Sequence, residues 1–500
     1  MPKTPIITID TFSSGMVQDV STGKGFSTLF CCDIHRTPGR ITAQARLDAD
    51  DDTIFQTNTE IPYWFEIYDA NGGTIELYAY SDEGGIYRRT AGAWAFLRDI
   101  AAADGQGFKH FQTSLYYSTR AGIGRLLGDP TVGGNYTDAY QAFTTAVSGT
   151  DFASMTIFAN SLYVANTRYI SKLASDQVTW TAAALTLPVG YICAAITEWN
   201  DRLVVSTQSG TSVGDEIIVF WDGVSEFPEL IVHVPKPGAS ALFNYNNSLK
   251  AFIGNKIYAF NGADFIVEKV ISKKGFPDEL RNPSVYPSAV ELYEERMLFG
   301  ITHIMVQNDT QFLAGTYSLG KNSVDYPTAL AYEFEPSTGN SGQIEIGAIK
   351  VFSSINDTPI LYVAYRDIDA GLYVIDRSNV NLNQYTSVAY ILTPAFELPG
   401  NYGMLVEGVR IEFDGNMITN ANSNRITVRY RIDNDIDYDN DTLNFTLLGT
   451  IDNDATGSNN QNRVLSGVYR RAKRIQFKFE LTTDSGTVNN NVVITKIHIY

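Results

Sequence analysis

The chain is poor in the residues that build a disulfide scaffold, a metal site or a membrane span. It has three cysteines in 500 residues. Cys31 and Cys32 are adjacent and Cys193 is far away, which excludes a disulfide framework and any metal-ligand spacing. The histidines, His35, His110, His233, His303 and His498, are scattered with no H-E-x-x-H pattern. No run of ~18 apolar residues occurs, so no membrane insertion is expected. The start, Met1-Pro2-Lys3-Thr4-Pro5-Ile6-Ile7, lacks a secretory apolar segment, and reduced, cytosolic synthesis is the simple expectation. Charged residues are 18% of the chain, below the ~25% of ordinary globular proteins. Basic residues number 37 against 55 acidic ones, for a net charge of −18. That balance excludes a nucleic-acid-coating role, which needs clustered Lys and Arg. Helix signals are scarce, and Thr137 to Val147 is the best short candidate.

What is present is β-rich and turn-rich. The hydrophobic share is 44%, enough for a large core, and polarity comes mainly from Asn, Thr, Ser, Gly and 29 Tyr. Alternation with period 2 dominates. Phe65-Glu66-Ile67-Tyr68, Asn71-Gly72-Gly73 and Thr74 to Tyr80 read as a hairpin. The same grammar returns around Asn160-Ser161, Asn200-Asp201, Asn246-Asn247-Ser248 and Glu294-Glu295, each flanked by apolar strands. These units recur every ~40–60 residues, the period of four-stranded propeller blades. The expectation is an all-β fold with a β-propeller of about seven blades over residues 56–395. A long β-sandwich or a β-solenoid is the alternative.

After Leu398-Pro399-Gly400 the pattern changes. Val409 to Phe413, Ile426 to Ile432, Ile475 to Leu481 and Val493 to Tyr500 alternate strictly. One apolar and one charged face per strand predict an antiparallel β-sandwich over residues 396–500. Residues 1–55 fit neither pattern and read as an extended N-terminal arm that can supply a ring-closing strand.

The arm carries Phe12-Ser13-Ser14-Gly15-Met16 and Asp33-Ile34-His35-Arg36-Thr37-Pro38-Gly39-Arg40-Ile41. With Tyr-rich blades and a final alternating sandwich, this layout resembles β-propeller structural proteins of tailed bacteriophages, tail hub and nozzle proteins in particular. The resemblance covers the whole chain in layout, and its sharpest motif is Asp33-Ile34-His35 with Pro38-Gly39. It implies a virion tail component, made in the host cytoplasm, that helps to form the DNA exit channel by symmetric assembly. Its partners would be other tail proteins and further copies of itself, with sixfold symmetry as the expectation. DNA would pass without specific binding, because acidic walls repel phosphate.

Few constellations suggest chemistry. Gly210-Thr211-Ser212-Val213-Gly214 matches a nucleophile elbow, but a strand rather than a helix follows it, so it reads as a hairpin loop. Gly122 to Gly128 misses the dinucleotide fingerprint. Ser175-Asp176-Gln177-Val178-Thr179-Trp180 resembles part of the Asp-box of sialidase-type propellers, a turn-tying element. The run Asp433, Asp435, Asp437, Asp439, Asp441 would suit a calcium loop through Asp433, Asp435 and Asp437, against the plainer reading of a solvated hairpin loop. The acidic group Asp48, Asp50, Asp51 and Asp52 reads the same way. Arg470, Arg471, Lys473 and Arg474 form the one dense basic cluster and read as an interface or as the solvated lead-in to a strand.

The expectation is therefore a non-enzymatic structural protein without a cofactor. One alternative is a host-glycan receptor-binding or decoration protein, with Tyr402, Tyr438 and Tyr469 as stacking candidates. The other is a polysaccharide-degrading propeller enzyme with two carboxylates ~5–10 Å apart in a central pocket.

Overall fold

The computed structural model describes the chain apart from residues 1–4, 10–11, 13–14, 17–25, 37–38, 52, 71–74, 101–104, 149–150, 210–213, 272–283, 303–313, 322–327, 339–342, 354–357, 379–387, 399–402, 415–424, 437–443, 452–461 and 483–492. Consecutive strands form four-stranded antiparallel meanders. Sheet A runs from Pro62–Asp69 to Ala93–Asp99, B from Gly107–Phe111 to Tyr136–Ala142, and C from Met155–Phe158 to Trp180–Thr186. Sheet D runs from Tyr191–Trp199 to Leu230–Val234, E from Ala239–Tyr245 to Phe265–Val270, and F from Val290–Tyr293 to Ala329–Phe334. Sheet G holds Ile344–Phe352, Ile360–Asp367 and Leu372–Ser378, and takes its fourth strand, Leu47–Asp51, from the N-terminal arm.

Local turn chemistry sets this pattern. First and second strands are joined by two-residue turns at Ala159-Asn160, Asn200-Asp201, Asn246-Asn247 and Glu294-Glu295, with both residues at positive φ. That is the type I′ geometry whose twist matches flanking strands. Third and fourth strands are joined by Asx turns. Asp176 Oδ1 accepts the backbone N–H of Val178 and Thr179 at 2.9 and 2.8 Å. Asp222 does the same for Val224 and Ser225, Asn261 for Ala263 and Asp264, and Asp129 for Thr131. The Asp176 element glimpsed in the sequence is thus one of a series, each satisfying backbone donors that the turn would otherwise leave to solvent.

Successive sheets pack through their first strands, A on B, B on C, C on D, D on E and F on G, and G packs back on A. Between E and F the contact is aromatic, with Phe252 and Phe299 ring centroids 6.0 Å apart. Tyrosine hydroxyls tie neighbours together at the turns. Gly128 N–H of sheet B donates to Tyr68 of sheet A at 3.0 Å. Tyr163 of C donates to the Gly223 carbonyl of D at 3.1 Å, and Tyr245 of E to the Glu295 carbonyl of F at 3.0 Å. Each ring fills the apolar gap between sheets while its hydroxyl finds a backbone partner in the next sheet's turn.

The closing strand carries a clasp. The Asp50 side chain is 1% exposed. Its carboxylate accepts from Arg89 Nε at 2.7 Å and Trp94 Nε1 at 2.9 Å in sheet A, and lies 3.2 Å from Arg377 Nε in sheet G. The acidic group around it is therefore not a solvated loop. Asp48 pairs with Arg46, Asp50 is neutralised by two guanidinium groups, and Asp52 lies outside the described residues. The short helix Thr53–Asn58 follows at once and buries Phe55 against Tyr87, centroids 4.5 Å apart.

The rest of the arm joins the C-terminal region. Ile7–Ile9 pairs with Val493–Ile499, which continues through Met404–Asp414 to Asn462–Ala472. Thr28–Phe30 lies between Ala329–Phe334 of sheet F and Val388–Leu392, so sheet F continues into Arg474–Thr482, Arg425–Ile432 and Thr446–Ile451. Val409, Ile411 and Ile497 from one of these sheets share a core with Val428, Phe477 and Phe479 from the other. Val388–Leu392 falls before residue 396, yet it pairs with the C-terminal strands.

Two expectations are corrected. Tyr136–Ala142 is the fourth strand of sheet B rather than a helix, because pairing with Gly122–Leu127 overrides a weak local propensity. Arg474–Thr482 has no solvated charged face, since Gln476 and Lys478 are buried too. Gln476 donates to the Thr393 carbonyl and accepts from Arg431 Nε, both at 2.7 Å, and the Lys478 ammonium sits 4.2 Å from the Tyr390 ring centroid.

Removing one partner of a buried ion pair costs about 3–5 kcal/mol, against about 0–1 kcal/mol for an exposed pair. Asp50→Ala is accordingly expected to lower the unfolding free energy by about 3–5 kcal/mol, and Asp48→Ala by under about 1 kcal/mol. Urea unfolding followed by fluorescence checks both.

Candidate functional site

Three polar constellations stand out. The first is built by the Asp33-Ile34-His35-Arg36 motif where the arm docks on sheet F. Asp33 Oδ1 accepts the N–H of His35 and Arg36 at 2.9 and 3.1 Å, folding the motif into an Asx turn. The turn aims His35 Nε2 at Ser318 Oγ, 2.9 Å away. It also places Arg36 Nε 3.2 Å from Glu294. Beneath it, buried Arg296 donates through Nε to both Glu333 oxygens, at 2.8 and 3.0 Å, and through Nη1 to Glu294 at 2.9 Å. Gln44 of the arm donates to Glu333 as well. Burial pulls the Arg296 guanidinium down, but the Glu333 carboxylate outweighs it and holds the group above its usual range. Burial holds the His35 imidazole below its ordinary value, so the ring is neutral. Gly320 makes room for it, since a Cβ there would stand 2.7 Å from His35 Nδ1 and 2.9 Å from Arg296 Cβ. Beside this network a cavity of about 450 Å³ opens between sheets F and G, with Tyr293, Phe334, Val351 and Ile360 as apolar walls and Arg36 and Arg46 at its rim.

The second constellation lies where the sheets converge. Tyr63 belongs to sheet A, Phe152 leads into C, and Tyr286 leads into F. These sheets are not neighbours, yet the three rings meet edge to face at 5.2–5.7 Å, so they meet across the axis. Buried Glu345 of sheet G accepts both phenols, Tyr63 and Tyr286, through Oε1 at 2.7 Å and pairs with Arg366 through Oε2. Further along, Glu291 of F, Lys350 of G, Glu66 of A and Lys109 of B alternate in sign on the first strands. Lys350 is 3.2 Å from Glu291, and Lys109 is 2.9 Å from Glu66. The axis thus carries aromatic rings and neutralised charges. Glu345 has both oxygens engaged and serves as a tie between sheets. Asp82 stands near it with its carboxyl pushed up to about 7 by burial, against the opposing pull of the Ile61 N–H and Arg366.

The third is the basic cluster at the C-terminal edge. Arg470, Arg471 and Lys473 are exposed and Arg474 is half-buried. Asn462–Ala472 is the outer strand of its sheet. Its pairing shifts between Val406–Arg470 and Gly408–Ser466, a bulge in which Gly467 and Tyr469 have positive φ. Such bulges kink an edge strand and re-aim its side chains. Val464 and Tyr469 are 63% and 62% exposed, and Leu405 and Leu447 are exposed nearby.

Asp433 belongs to this corner. Its Oδ1 accepts the N–H of Lys473 and Arg474 at 2.8 and 2.9 Å, which fixes the turn carrying the basic side chains. Asp435 lies in the same short 3-10 turn, while Asp437, Asp439, Asp441 and Tyr438 lie outside the described residues. Among the described residues no group of three His, Cys, Asp or Glu side chains converges as a metal site. The Gly210 to Gly214 loop is described only at Gly214, and Tyr402 and His303 also lie outside the described residues. Sequence reasoning singled out Asp33, His35 and the basic cluster. It missed Glu345, Arg366, Asp82, Arg296 and Glu333, whose partners lie on other strands and leave no motif in the sequence.

A carboxyl whose folded pKa is raised binds its proton more tightly when folded. Its contribution is fully present below the unfolded value near 4 and is lost as pH rises through about 7. Asp82→Asn should therefore flatten the decline of stability between pH 4 and 7 relative to the unsubstituted chain. Urea unfolding of both proteins across that window checks it, and parallel curves would contradict it.

No family model and no curated protein matches the chain. Among solved structures, the chain is similar to the N-terminal domain of Nup159 at 10% identity, covering 67% of this chain and 96% of that one, with a TM-score of 0.38. It is similar to YCF48 from Cyanidioschyzon merolae at 10% identity, covering 67% and 99%, with a TM-score of 0.41. The extracellular domain of BT4673 from B. thetaiotaomicron matches at 12% identity, covering 77% and 57%, with a TM-score of 0.39.

Proposed function

We propose that the protein is a non-enzymatic structural component of a tailed-phage virion, of tail hub or nozzle type, acting by symmetric assembly with copies of itself and with other tail proteins. In this reading sheets A to G are the seven blades of a propeller, and the C-terminal sheets form a β-sandwich stitched to it by the arm. The supporting observation is the occupied axis. A ring of sheets offers a ligand or substrate its axial opening, and here Tyr63, Phe152, Tyr286 and paired charges fill it. What remains for function is the cavity beside Arg36 and the outer surface. DNA would then travel between copies arranged around the tail axis, not through any one propeller. A net charge of −18 per chain, repeated around that path, would keep phosphate from binding the wall.

The test is the intact particle. Reconstruction of the virion by electron cryo-microscopy should place the chain in a ring coaxial with the tail, with sixfold symmetry. Its presence at a fibre tip holding a glycan, or its absence from the particle, would overturn the reading.

A further inference from the structure

The third-to-fourth strand turns of sheets B, C and D each present an apolar side chain to solvent beside the turn aspartate. Val132, Val178 and Val224 are evenly spaced in the sequence and are 48%, 68% and 81% exposed, and Phe227 beside the last is 70% exposed. Single exposed valines need no explanation. A row of them, each held by an Asx turn, does. The row is also acidic. Asp129, Asp176 and Asp222 sit in these turns and Glu226 is exposed next to Phe227, while Glu229 at the end of the same loop is paired with Arg202. Their N–H and hydroxyl donors hold Asp176 and Asp222 below the usual carboxylate range, so the row keeps its charge.

The basic edge is the complement of this row. It offers Arg470, Arg471 and Lys473 around exposed Val464 and Tyr469, on a chain that is otherwise strongly acidic. Copies of such a chain repel one another unless this patch meets an acidic surface. The two surfaces also belong to different parts of the fold. Arg470 and Arg471 lie on the outer strand of the four-stranded C-terminal sheet, and Lys473 leads into Arg474–Thr482 of the sheet that continues from F. In the cyclic order of sheets, F stands across from B and C.

We infer that the Arg470–Lys473 edge of one copy docks on the Val132, Val178 and Val224 turn row of the next. This is a head-to-tail contact between different surfaces, and such contacts close into rings when the rotation allows. The inference rests on the reading of symmetric assembly and names the surfaces that carry it.

Two variants test it, Arg470→Glu with Arg471→Glu, and Val178→Lys with Val224→Lys. All four positions are surface side chains, and unchanged melting temperatures confirm folding. By mass photometry or light scattering the unsubstituted chain should form a species at a multiple of 55.2 kDa. Each variant alone should need at least tenfold higher concentration to associate. Mixed, they should form a one-to-one dimer that grows no further, because each retains the surface the other lacks. If the unsubstituted chain assembles but the mixture stays monomeric, or if either variant assembles normally, the inference fails and symmetric assembly stands. If the unsubstituted chain is monomeric at every concentration tested and in the particle, the assembly reading itself fails.

Discussion

The two distant ends of the chain must meet for any of this architecture to exist. Sheet G is complete only when Leu47–Asp51 pairs with Leu372–Ser378, and sheet A is held to G by the Asp50 carboxylate between Arg89 and Arg377. Ordering that much intervening chain is costly in entropy, and local hairpins alone do not recover it. The arm spreads the load over several contacts. Ile7–Ile9 adds to one C-terminal sheet, Thr28–Phe30 bridges sheet F to the other, and Arg36, Gln44 and His35 bond Glu294, Glu333 and Ser318. The network between arm and sheet F is a condition of the fold: with His35 neutral and Arg296 paired, no charge is left buried alone.

Closure also explains where function is available. Tyr63, Phe152 and Tyr286 come from sheets that touch only if the series of sheets bends fully around, and once they touch, the axis is filled. The cavity beside Arg36 and the turn and edge surfaces are what the folded chain still presents. A single dense basic cluster on a chain of net charge −18 is then conspicuous. It sits on a bulged outer strand and at the entry to Arg474–Thr482, with Asp433 shaping its turn.

Short-range features were legible in the sequence, and long-range ones were not. Asn200-Asp201 and Asn246-Asn247 announce type I′ turns because few other residues accept positive φ, so the hairpins they join could be read directly. Glu294-Glu295 also announced its hairpin, while the pairing of Arg36 of the arm with the Glu294 carboxylate has no local pattern. Asp50 looked like any member of an acidic run, since its partners lie in sheet A and on a strand of sheet G far away in the sequence. The alternation in Ile475 to Leu481 correctly gave a strand but misplaced its polar face, because a sheet buried on both sides pairs Gln476 with Arg431 and Thr393. The Asp33-Ile34-His35 motif was visible as a motif, while its role as the arm's anchor required the strands that carry Ser318 and Glu333.

Hydrogen exchange at the backbone of Leu47–Asp51 in the full chain is the most direct test of closure. If these residues complete the ring, their amides open only with the strands of sheets G and A, and they should share the slow, cooperative exchange of Ile360–Asp367. Rapid exchange of Leu47–Asp51 while sheets A and G stay protected would show that the ring holds without the arm, and would contradict the account.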